Sequence, residues 1–254
     1  MHLQVLGSDG GIGEELRTTA FLVDGDVLID AGTGVVELSD MALQRVDHVF
    51  LTHAHVDHTA FLPLLIEATW AKRTHPLTVY ALEETLRALK DHVFNWNIWP
   101  DFTEIPSPDK PSLRYAVVNI GKPTKLGDRR FIAVPAKHTV PTVGYHLDSG
   151  HASLVFSGDT TCCDDFLRVV NRIENLKYLI IETAFGDDNL VLAERSGHLC
   201  PKLLAGELEK LKNPAEIFIT HMKPGIRETI MREIEMREWA SLPRQLRLDQ
   251  VIEF

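Results

Sequence analysis

Cysteine is scarce in this sequence, and the thiols that are present form no obvious pairs. There are three cysteines among 254 residues, and two of them, Cys162 and Cys163, are adjacent. An odd count with adjacent members argues against the disulfide framework that stabilises many small secreted domains. We therefore expect a reducing compartment and a cytoplasmic location.

Long apolar runs are also missing. Arg, Lys, Asp or Glu interrupts every candidate stretch before it reaches the length of a membrane-spanning helix. Residues 1–5 show neither the basic start nor the apolar run of a secretory signal. We therefore expect no membrane partner.

Positive charge is in deficit. The formal net charge is −10, from 26 Lys and Arg against 36 Asp and Glu. Such a surface repels long polyanions, so we expect no extended nucleic-acid partner. A small anionic substrate is compatible with this charge, because a single metal cluster can hold one phosphate. Homodimerisation is left open by the sequence.

The sequence has enough apolar residues for one large core. Hydrophobic residues make up 44% of the chain, and we predict one domain over residues 1–254. Short apolar strands alternate with amphipathic helices, and the strands are too many for a simple doubly wound sheet. A two-sheet core with helices outside, of the α+β class, fits better. The predicted strands are 3–6, 19–23, 27–30, 48–52, 77–80, 114–120, 130–134, 144–147, 153–156, 178–181 and 216–220.

Three segments carry leucine, isoleucine or valine at helical spacing. They lie at 82–93, 204–211 and 226–234, and their apolar stripes are expected to face the core. The proline-rich stretch 100–111 is predicted to be a loop. The aromatic segment 94–99 before it could pack against the core, act as a lid or contact a second copy.

The densest polar motif in the chain is His53-Ala54-His55-Val56-Asp57-His58, which follows the apolar run 49–51 after one intervening residue. Imidazole and carboxylate groups are ligands that zinc and similar cations prefer. A polar turn with accidental histidines would rarely be so dense. The motif therefore predicts a metal site whose remaining ligands come from elsewhere in the chain.

Four further apolar strands lead to a polar group that can do chemistry. These groups are His138, Asp159, Glu182 and His221. In open α/β architectures, ligands gather outside the carboxyl ends of the strands. Any one of the histidines could be a buried, hydrogen-bonded side chain, but the joint pattern predicts one shared site.

These residues, in this order, resemble the metallo-β-lactamase fold superfamily, whose fold is a four-layer αββα sandwich with a dinuclear metal site. The resemblance implies that three histidines hold the first metal ion: His53, His55 and His138. It implies that Asp57, His58 and His221 hold the second ion and that Asp159 bridges the two. The loops 7–11 and 30–34 resemble the glycine-containing loops that line such sites. The ligand types predict two Zn²⁺ ions, with manganese or iron as alternatives.

Within the superfamily, the segments 95–102, 145–160 and 196–224 most resemble the class II cyclic-nucleotide phosphodiesterases. This resemblance implies hydrolysis of 3′,5′-cyclic AMP or cyclic GMP to the 5′-nucleotide. The next resemblance is to tRNase Z, through the pair of Glu182 and His198. The segment between His138 and Asp159 is long enough for a hairpin only, and leaves no room for a tRNA-gripping arm.

Two other functions stay open from the sequence. His55 favours a hydrolase, because redox diiron members carry Glu at that position, and Asp159 disfavours the β-lactamase branch that carries Cys there. A hydrolase of lactone, thioester or β-lactam bonds on the same metal ions is one alternative. A metal-binding protein without enzymatic activity is the other.

The predicted catalytic residues are Asp57, Glu182 and His198. We predict that Asp57 orients the nucleophile, that His198 is the general acid at the leaving oxygen, and that Glu182 fixes the tautomer of His198. The alternative for His198 is a capping role before the helix that begins near Pro201. Lys223 is predicted to touch substrate phosphate, although a solvated lysine fits equally well.

Overall fold

The computed structural model describes residues 1–254. Its helices are α1 (Asp40–Arg45), α2 (Val56–Thr59), α3 (Leu62–Thr69), α4 (Glu83–His92), α5 (Asp164–Val170), α6 (Leu190–Ser196), α7 (Pro201–Leu208) and α8 (Arg227–Glu235), with short 3₁₀ helices at Thr33–Glu37, Trp70–Lys72 and Asp187–Asn189. Its strands are β1 (His2–Gly7), β2 (Ala20–Val23), β3 (Val27–Ile29), β4 (His48–Phe50), β5 (Leu77–Ala81), β6 (Pro106–Ser107), β7 (Lys110–Pro111), β8 (Leu113–Val117), β9 (Pro123–Leu126), β10 (Arg129–Pro135), β11 (Val143–Asp148), β12 (Ser153–Phe156), β13 (Leu176–Glu182), β14 (Glu216–Thr220), β15 (Arg244–Gln245) and β16 (Val251–Glu253).

Two seven-stranded sheets organise the molecule. The first has the order β16-β1-β2-β3-β4-β5-β8, and the second has the order β15-β14-β13-β12-β11-β10-β9. Strands β3, β4, β5 and β8 run parallel to one another, as do β12, β13, β14 and β15. The small hairpin β6–β7 stands apart from both sheets.

Side-chain alternation along the strands creates three apolar layers. In the run that enters the histidine motif, Val49 and Leu51 face the helices α3 and α4, whereas Phe50 faces the second sheet. Across from it, Val155 faces the helices α5, α7 and α8, while its neighbours Leu154 and Phe156 face the first sheet. The layers therefore run helix, sheet, sheet, helix, which confirms the predicted αββα sandwich.

All of the strands predicted from the sequence are present, and the three helical segments are helices α4, α7 and α8. The sequence did not predict β9, β15 and β16, which are short edge strands. The predicted loop 100–111 contains the hairpin β6–β7, whose strands have two residues each and include prolines. The assignment of residues 1–254 to one domain stays a prediction.

The aromatic segment 94–99 is divided between core and solvent. Phe94 is buried against the helix layer of the first sheet, and Trp99 packs beside it. Trp96 and Ile98 project into solvent, with 59% and 66% of their surfaces exposed.

No helix of this structure has both the length and the apolar character needed to cross a bilayer.

Replacing Phe50 by alanine is expected to destabilise the fold strongly. The ring is fully buried and stacks between Tyr80, at 4.4 Å, and Phe131, at 4.7 Å between ring centroids. Removing a buried phenylalanine side chain leaves a cavity and costs about 3–5 kcal/mol in the free energy of unfolding. Urea titration would measure this loss. The exposed Val117→Ala on β8 is the matched control, and an equal loss in both variants would contradict the packing described here.

Candidate active site

The polar residues predicted from the sequence meet at one edge of the sandwich. β4 leads to His53 in the first sheet, whereas β12, β13 and β14 lead to Asp159, Glu182 and His221 in the second. β10 is antiparallel to β11, which is antiparallel to β12, so the end of β10 also reaches this edge and delivers His138. The site is therefore assembled from strand ends of both sheets.

The histidine motif folds into a tight turn and one short helix. His55 precedes α2, and its carbonyl accepts hydrogen bonds from the His58 N–H, at 3.0 Å, and from the Thr59 hydroxyl, at 3.0 Å. This turn reverses the chain between His53 and His58, and the two imidazole rings lie 4.3 Å apart between centroids. The close spacing of the motif in sequence thus becomes a close spacing of ligand atoms.

The structure brings the seven predicted metal ligands together in two groups. In each group, the possible ligand atoms all lie within 4.8 Å of one another. The first group contains His53, His55, His138 and Asp159, and the second contains Asp57, His58 and His221. His198 lies within the same distance of Asp159 and His221. The grouping agrees with the predicted division of ligands, while metal binding by these residues stays a prediction.

Asp159 lies between the two groups, with one carboxylate oxygen toward each. Its Oδ2 lies 3.7 Å from His53 Nε2 and 3.9 Å from His138 Nε2. Its Oδ1 lies 3.4 Å from His58 Nε2 and 3.3 Å from His221 Nδ1. This is the arrangement that a bridging carboxylate requires.

Burial and neighbouring charges shift the pKa values of Asp159, His53 and His221. Burial alone would raise the pKa of Asp159, but the imidazoles of His221 and His58 outweigh it and hold that pKa well below its usual range. Burial lowers the pKa of His53 and His221 well below the usual value for histidine. The lowered pKa of each ring favours the neutral imidazole, which is the form that binds metals.

His58 behaves differently from His53 and His221. Burial would lower its pKa, but the carboxylates of Asp159 and Asp30 outweigh burial and raise the pKa well above the usual value. Its Nδ1 lies 2.7 Å from Asp30 Oδ2, which leaves Nε2 directed toward Asp159. Asp30 thus holds the His58 ring at Nδ1, while Nε2 of the same ring faces Asp159.

Several buried polar atoms at this site have no hydrogen-bond partner in the protein. They are His53 Nε2, His58 Nε2, His221 Nδ1 and Asp159 Oδ1. Buried polar atoms are nearly always paired, so a cluster of orphaned ones needs an explanation. Nitrogen and carboxylate oxygen atoms are ligands of divalent cations, and the residues present therefore fit metal ions at this position.

His198 and Glu182 form a buried pair beside the ligand groups. His198 Nδ1 lies 2.7 Å from Glu182 Oε1, and its ring centroid is 4.8 Å from that of His138. Burial would lower the pKa of His198, but the Glu182 carboxylate outweighs burial and raises that pKa above its usual value. The structure therefore ties Nδ1 of His198 to Glu182, and the role of His198 as a general acid stays a prediction.

Glu182 does more than contact His198. Its carboxylate also accepts hydrogen bonds from the N–H groups of Thr160, at 3.0 Å, Ala184, at 3.1 Å, and Leu199, at 3.2 Å. Thr160 follows Asp159 directly, and Leu199 follows His198. The same carboxylate therefore holds the Asp159 loop and the His198 loop in a fixed relation.

Two glycines in the predicted loops allow close backbone approach. A Cβ added to Gly10 would lie 2.3 Å from the carbonyl oxygen of His221, and one added to Gly32 would lie 2.3 Å from that of Asp57. Any larger residue would push these ligands away. The loops 7–11 and 30–34 therefore do line the site, as the resemblance implied.

Lys223 lies at the edge of the second group. Its Nζ donates to the Gly10 carbonyl, at 2.9 Å, and is 3.3 Å from His221 Nε2. The ammonium is therefore held close to the ligands rather than solvated freely, and its contact with substrate stays a prediction.

Sequence reasoning missed two contributors, Thr52 and the backbone of Gly197. The Thr52 hydroxyl lies 3.0 Å from His53 Nδ1, and the Gly197 carbonyl lies 2.9 Å from His138 Nδ1. Gly197 has a φ of +73° and ends α6 in the left-handed conformation, so its glycine is a recognisable helix-end signal. Nothing in the sequence indicates that its carbonyl would face a ligand.

Comparison with known proteins identifies the family. Residues 26–222 match the family model of the β-lactamase superfamily domain. The chain belongs to this family. Together with the αββα sandwich, this match confirms the superfamily predicted from the sequence, and the fold of the family implies divalent metal ions at the site described above.

Two curated members of the superfamily align with this chain. A probable 3′,5′-cyclic-nucleotide phosphodiesterase from Yersinia pestis is 26% identical over 224 residues, which cover 76% of this chain and 63% of that protein. The chain thus spans less than two thirds of that relative. A ribonuclease Z from Mycobacterium bovis is 26% identical over 170 residues, covering 61% of this chain and 59% of that protein.

A solved structure shares the fold over nearly the whole length. The unliganded yeast PDE1 crystal structure superposes with a TM-score of 0.79 and covers 98% of each chain. Its sequence identity to this chain is 19%, so the similarity shows the fold alone.

Proposed function

We propose that this chain is a metal-dependent phosphodiesterase that hydrolyses 3′,5′-cyclic nucleotides to 5′-nucleotides. The observation that carries the proposal is the position of the His198–Glu182 pair beside two ligand groups, with Asp159 facing both of them. The names of the aligned relatives from Yersinia pestis and Mycobacterium bovis support phosphodiester chemistry.

The metal ions would have a defined chemical role. When bound by the two ligand groups, divalent cations would stabilise charge on the phosphoryl oxygens and activate the attacking water. Zn²⁺ is the proposed native ion, which the nitrogen-rich ligand groups support. Asp57 belongs to the second group and is partly exposed, which supports the proposal that it would orient that water.

His198 would supply the proton that the leaving oxygen needs. Hydrolysis breaks the bond between phosphorus and the ribose 3′ oxygen, and an alkoxide is a poor leaving group unless it is protonated. Because Nδ1 of His198 is tied to Glu182, the proton would leave from Nε2. Glu182 would stabilise the protonated imidazole and keep its orientation.

The proposed substrate is small and anionic. Between His138 and Asp159 the chain forms β11 and β12, a simple antiparallel pair, and has no further element there that could grip a nucleic acid. The net charge of −10 also disfavours a long polyanion or an anionic membrane surface. A cytoplasmic location belongs to the proposal, and the free thiols of all three cysteines support it.

A substrate panel tests the proposal directly. Protein loaded with Zn²⁺ or Mn²⁺ is expected to convert cyclic AMP or cyclic GMP to the 5′-monophosphate, identified by chromatography against the 3′-isomer. The same preparation is offered an aryl phosphodiester, a precursor tRNA, a lactone and a β-lactam. Hydrolysis of none of the phosphodiesters would end the proposal, and cleavage of the precursor tRNA alone would replace it with a ribonuclease.

A further inference from the structure

Thr52 is a buried polar residue that connects the two ligand groups. It precedes the histidine motif and is fully shielded from solvent. Its hydroxyl lies 2.9 Å from Asp30 Oδ2, 3.1 Å from Asp30 Oδ1 and 3.0 Å from His53 Nδ1. Asp30 in turn contacts His58 Nδ1 at 2.7 Å. The Thr52 hydroxyl thus contacts His53, a ligand of the first group, and the Asp30 carboxylate contacts His58, a ligand of the second group.

The direction of these hydrogen bonds follows from the chemistry of the groups. A carboxylate can only accept, so the Thr52 hydroxyl donates its single hydrogen to Asp30. The hydroxyl oxygen then presents lone pairs to His53, and the contact at 3.0 Å requires the hydrogen of His53 to be on Nδ1. By the same reasoning, His58 carries a hydrogen on the Nδ1 that faces Asp30.

The remaining nitrogen, Nε2, is then the one on each ring that can bind a cation once it carries no hydrogen. His53 Nε2 and His58 Nε2 face opposite oxygens of Asp159, and both are buried without a partner. A ring whose tautomer was not fixed would spend part of its time with a hydrogen on Nε2, which cannot bind a metal. Fixing Nδ1–H therefore removes a competing state before the metal arrives.

The backbone holds this pair in place. The Thr52 N–H donates to Asp30 Oδ1 at 2.8 Å, and the Thr52 carbonyl accepts from the Val143 N–H of the second sheet at 3.0 Å. Asp30 itself has a φ of +58°, a conformation that only surrounding contacts would maintain in a residue with a side chain. The hydroxyl is thus fixed from both sheets.

We infer that Thr52 is a positioning residue that sets the tautomer of a ligand in the first metal group and, through Asp30, supports a ligand in the second. This inference rests on the metal centre of the proposed function and not on the identity of its substrate. It assigns to Thr52 an effect on metal affinity that is separate from any effect on folding.

Two substitutions at this position separate the hydroxyl from its surroundings. Thr52→Val replaces the hydroxyl by a methyl group of similar size, whereas Thr52→Ser keeps the hydroxyl and removes the methyl group. Dissociation constants for Zn²⁺ are measured by competition with a chromophoric chelator. Thr52→Val is expected to weaken binding by about 10- to 100-fold, which is typical for loss of a group that orients a metal ligand. Thr52→Ser is expected to stay close to the unaltered protein.

The outcomes that overturn the inference are distinct. Unchanged affinity in Thr52→Val, or an equal loss in both variants, would show that the hydroxyl does not position the ligands. A fall in melting temperature without a change in affinity would assign Thr52 a structural role only. If Thr52→Val does not fold, ¹⁵N–¹H correlation spectra of the metal-free unaltered protein decide the question. The inference requires the His53 hydrogen on Nδ1, and finding it on Nε2 would overturn it.

Failure of the proposed function would look different. A protein that binds two ions tightly, responds to Thr52→Val as expected and cleaves no cyclic nucleotide would end the substrate proposal and leave the role of Thr52 intact.

Discussion

Replacing Asp159 by asparagine is expected to remove paired metal binding and nearly all activity. Its two carboxylate oxygens face different ligand groups, so the change weakens both sites at once. An amide brings no negative charge and cannot offer an oxygen to each side. Metal ions contribute several kcal/mol to transition-state stabilisation in such centres, so kcat/KM for cyclic nucleotides should fall by about 10³-fold or more.

Elemental analysis and activity assays on the same preparations measure this effect. Asp165→Asn is the matched control, because Asp165 is an exposed carboxylate on α5 that pairs with Arg168 on the same helix. The control is expected to bind metal and react normally. If Asp159→Asn kept two ions per chain and most of its activity, Asp159 would not be the bridging ligand.

Replacing His198 by alanine is expected to give the second largest effect, and one that depends on the leaving group. With Nδ1 bound to Glu182, only Nε2 of His198 can protonate the leaving oxygen. General acid catalysis contributes about 10²–10⁴-fold, so kcat for cyclic AMP should fall by this factor. A nitrophenyl phosphodiester needs little protonation at its leaving oxygen, so its hydrolysis should fall by less than about tenfold.

The test compares the loss of activity on cyclic AMP with the loss on the nitrophenyl phosphodiester. Metal content is measured for each preparation, because His198 lies close to Asp159 and His221 and could affect the ions indirectly. His151→Ala, at an exposed turn, serves as the control for loss of a histidine. Equal losses on the two substrates would show that His198 positions the metal centre or substrate and is not the acid.

The arrangement of the site could be predicted in part from the sequence because its ligands stand directly after apolar strands. His221 directly follows β14, whereas His53 and Asp159 follow the last residues of β4 and β12 by three positions, so the end of each strand fixes where the ligand must lie. Parallel neighbours then place these ends at one edge. The sequence pattern was informative because the potential metal ligands stand at the ends of segments whose apolar character predicts strands.

The supporting contacts could not be predicted in this way. Thr52 is a β-branched residue at the end of an apolar run and fits an ordinary strand equally well, and the Gly197 carbonyl has no side-chain signature at all. Both matter only because residues distant in sequence, Thr52 beside Asp30 and His138 beside Gly197, meet in the fold. Tertiary contacts of this kind leave no local pattern.

Three of the four sheet edges were missed for a related reason. β16 is a three-residue strand that pairs with β1 through His2 and Glu253, so its conformation depends on the opposite end of the chain. β9 has the sequence Pro-Thr-Lys-Leu and no buried residue, and therefore lacks the apolar alternation that reveals a core strand. A central strand can be recognised in the sequence by its buried apolar side chains. A short edge strand instead depends on its pairing with a neighbouring strand.

The number and position of the bound metal ions test this account most directly. Crystals of the protein loaded with Zn²⁺, measured at the zinc absorption edge, would locate the ions by anomalous scattering. We expect two ions per chain, one held by His53, His55 and His138, one held by Asp57, His58 and His221, with Asp159 contacting both. No ion in this cluster, or a single ion that Asp159 does not contact, would contradict it.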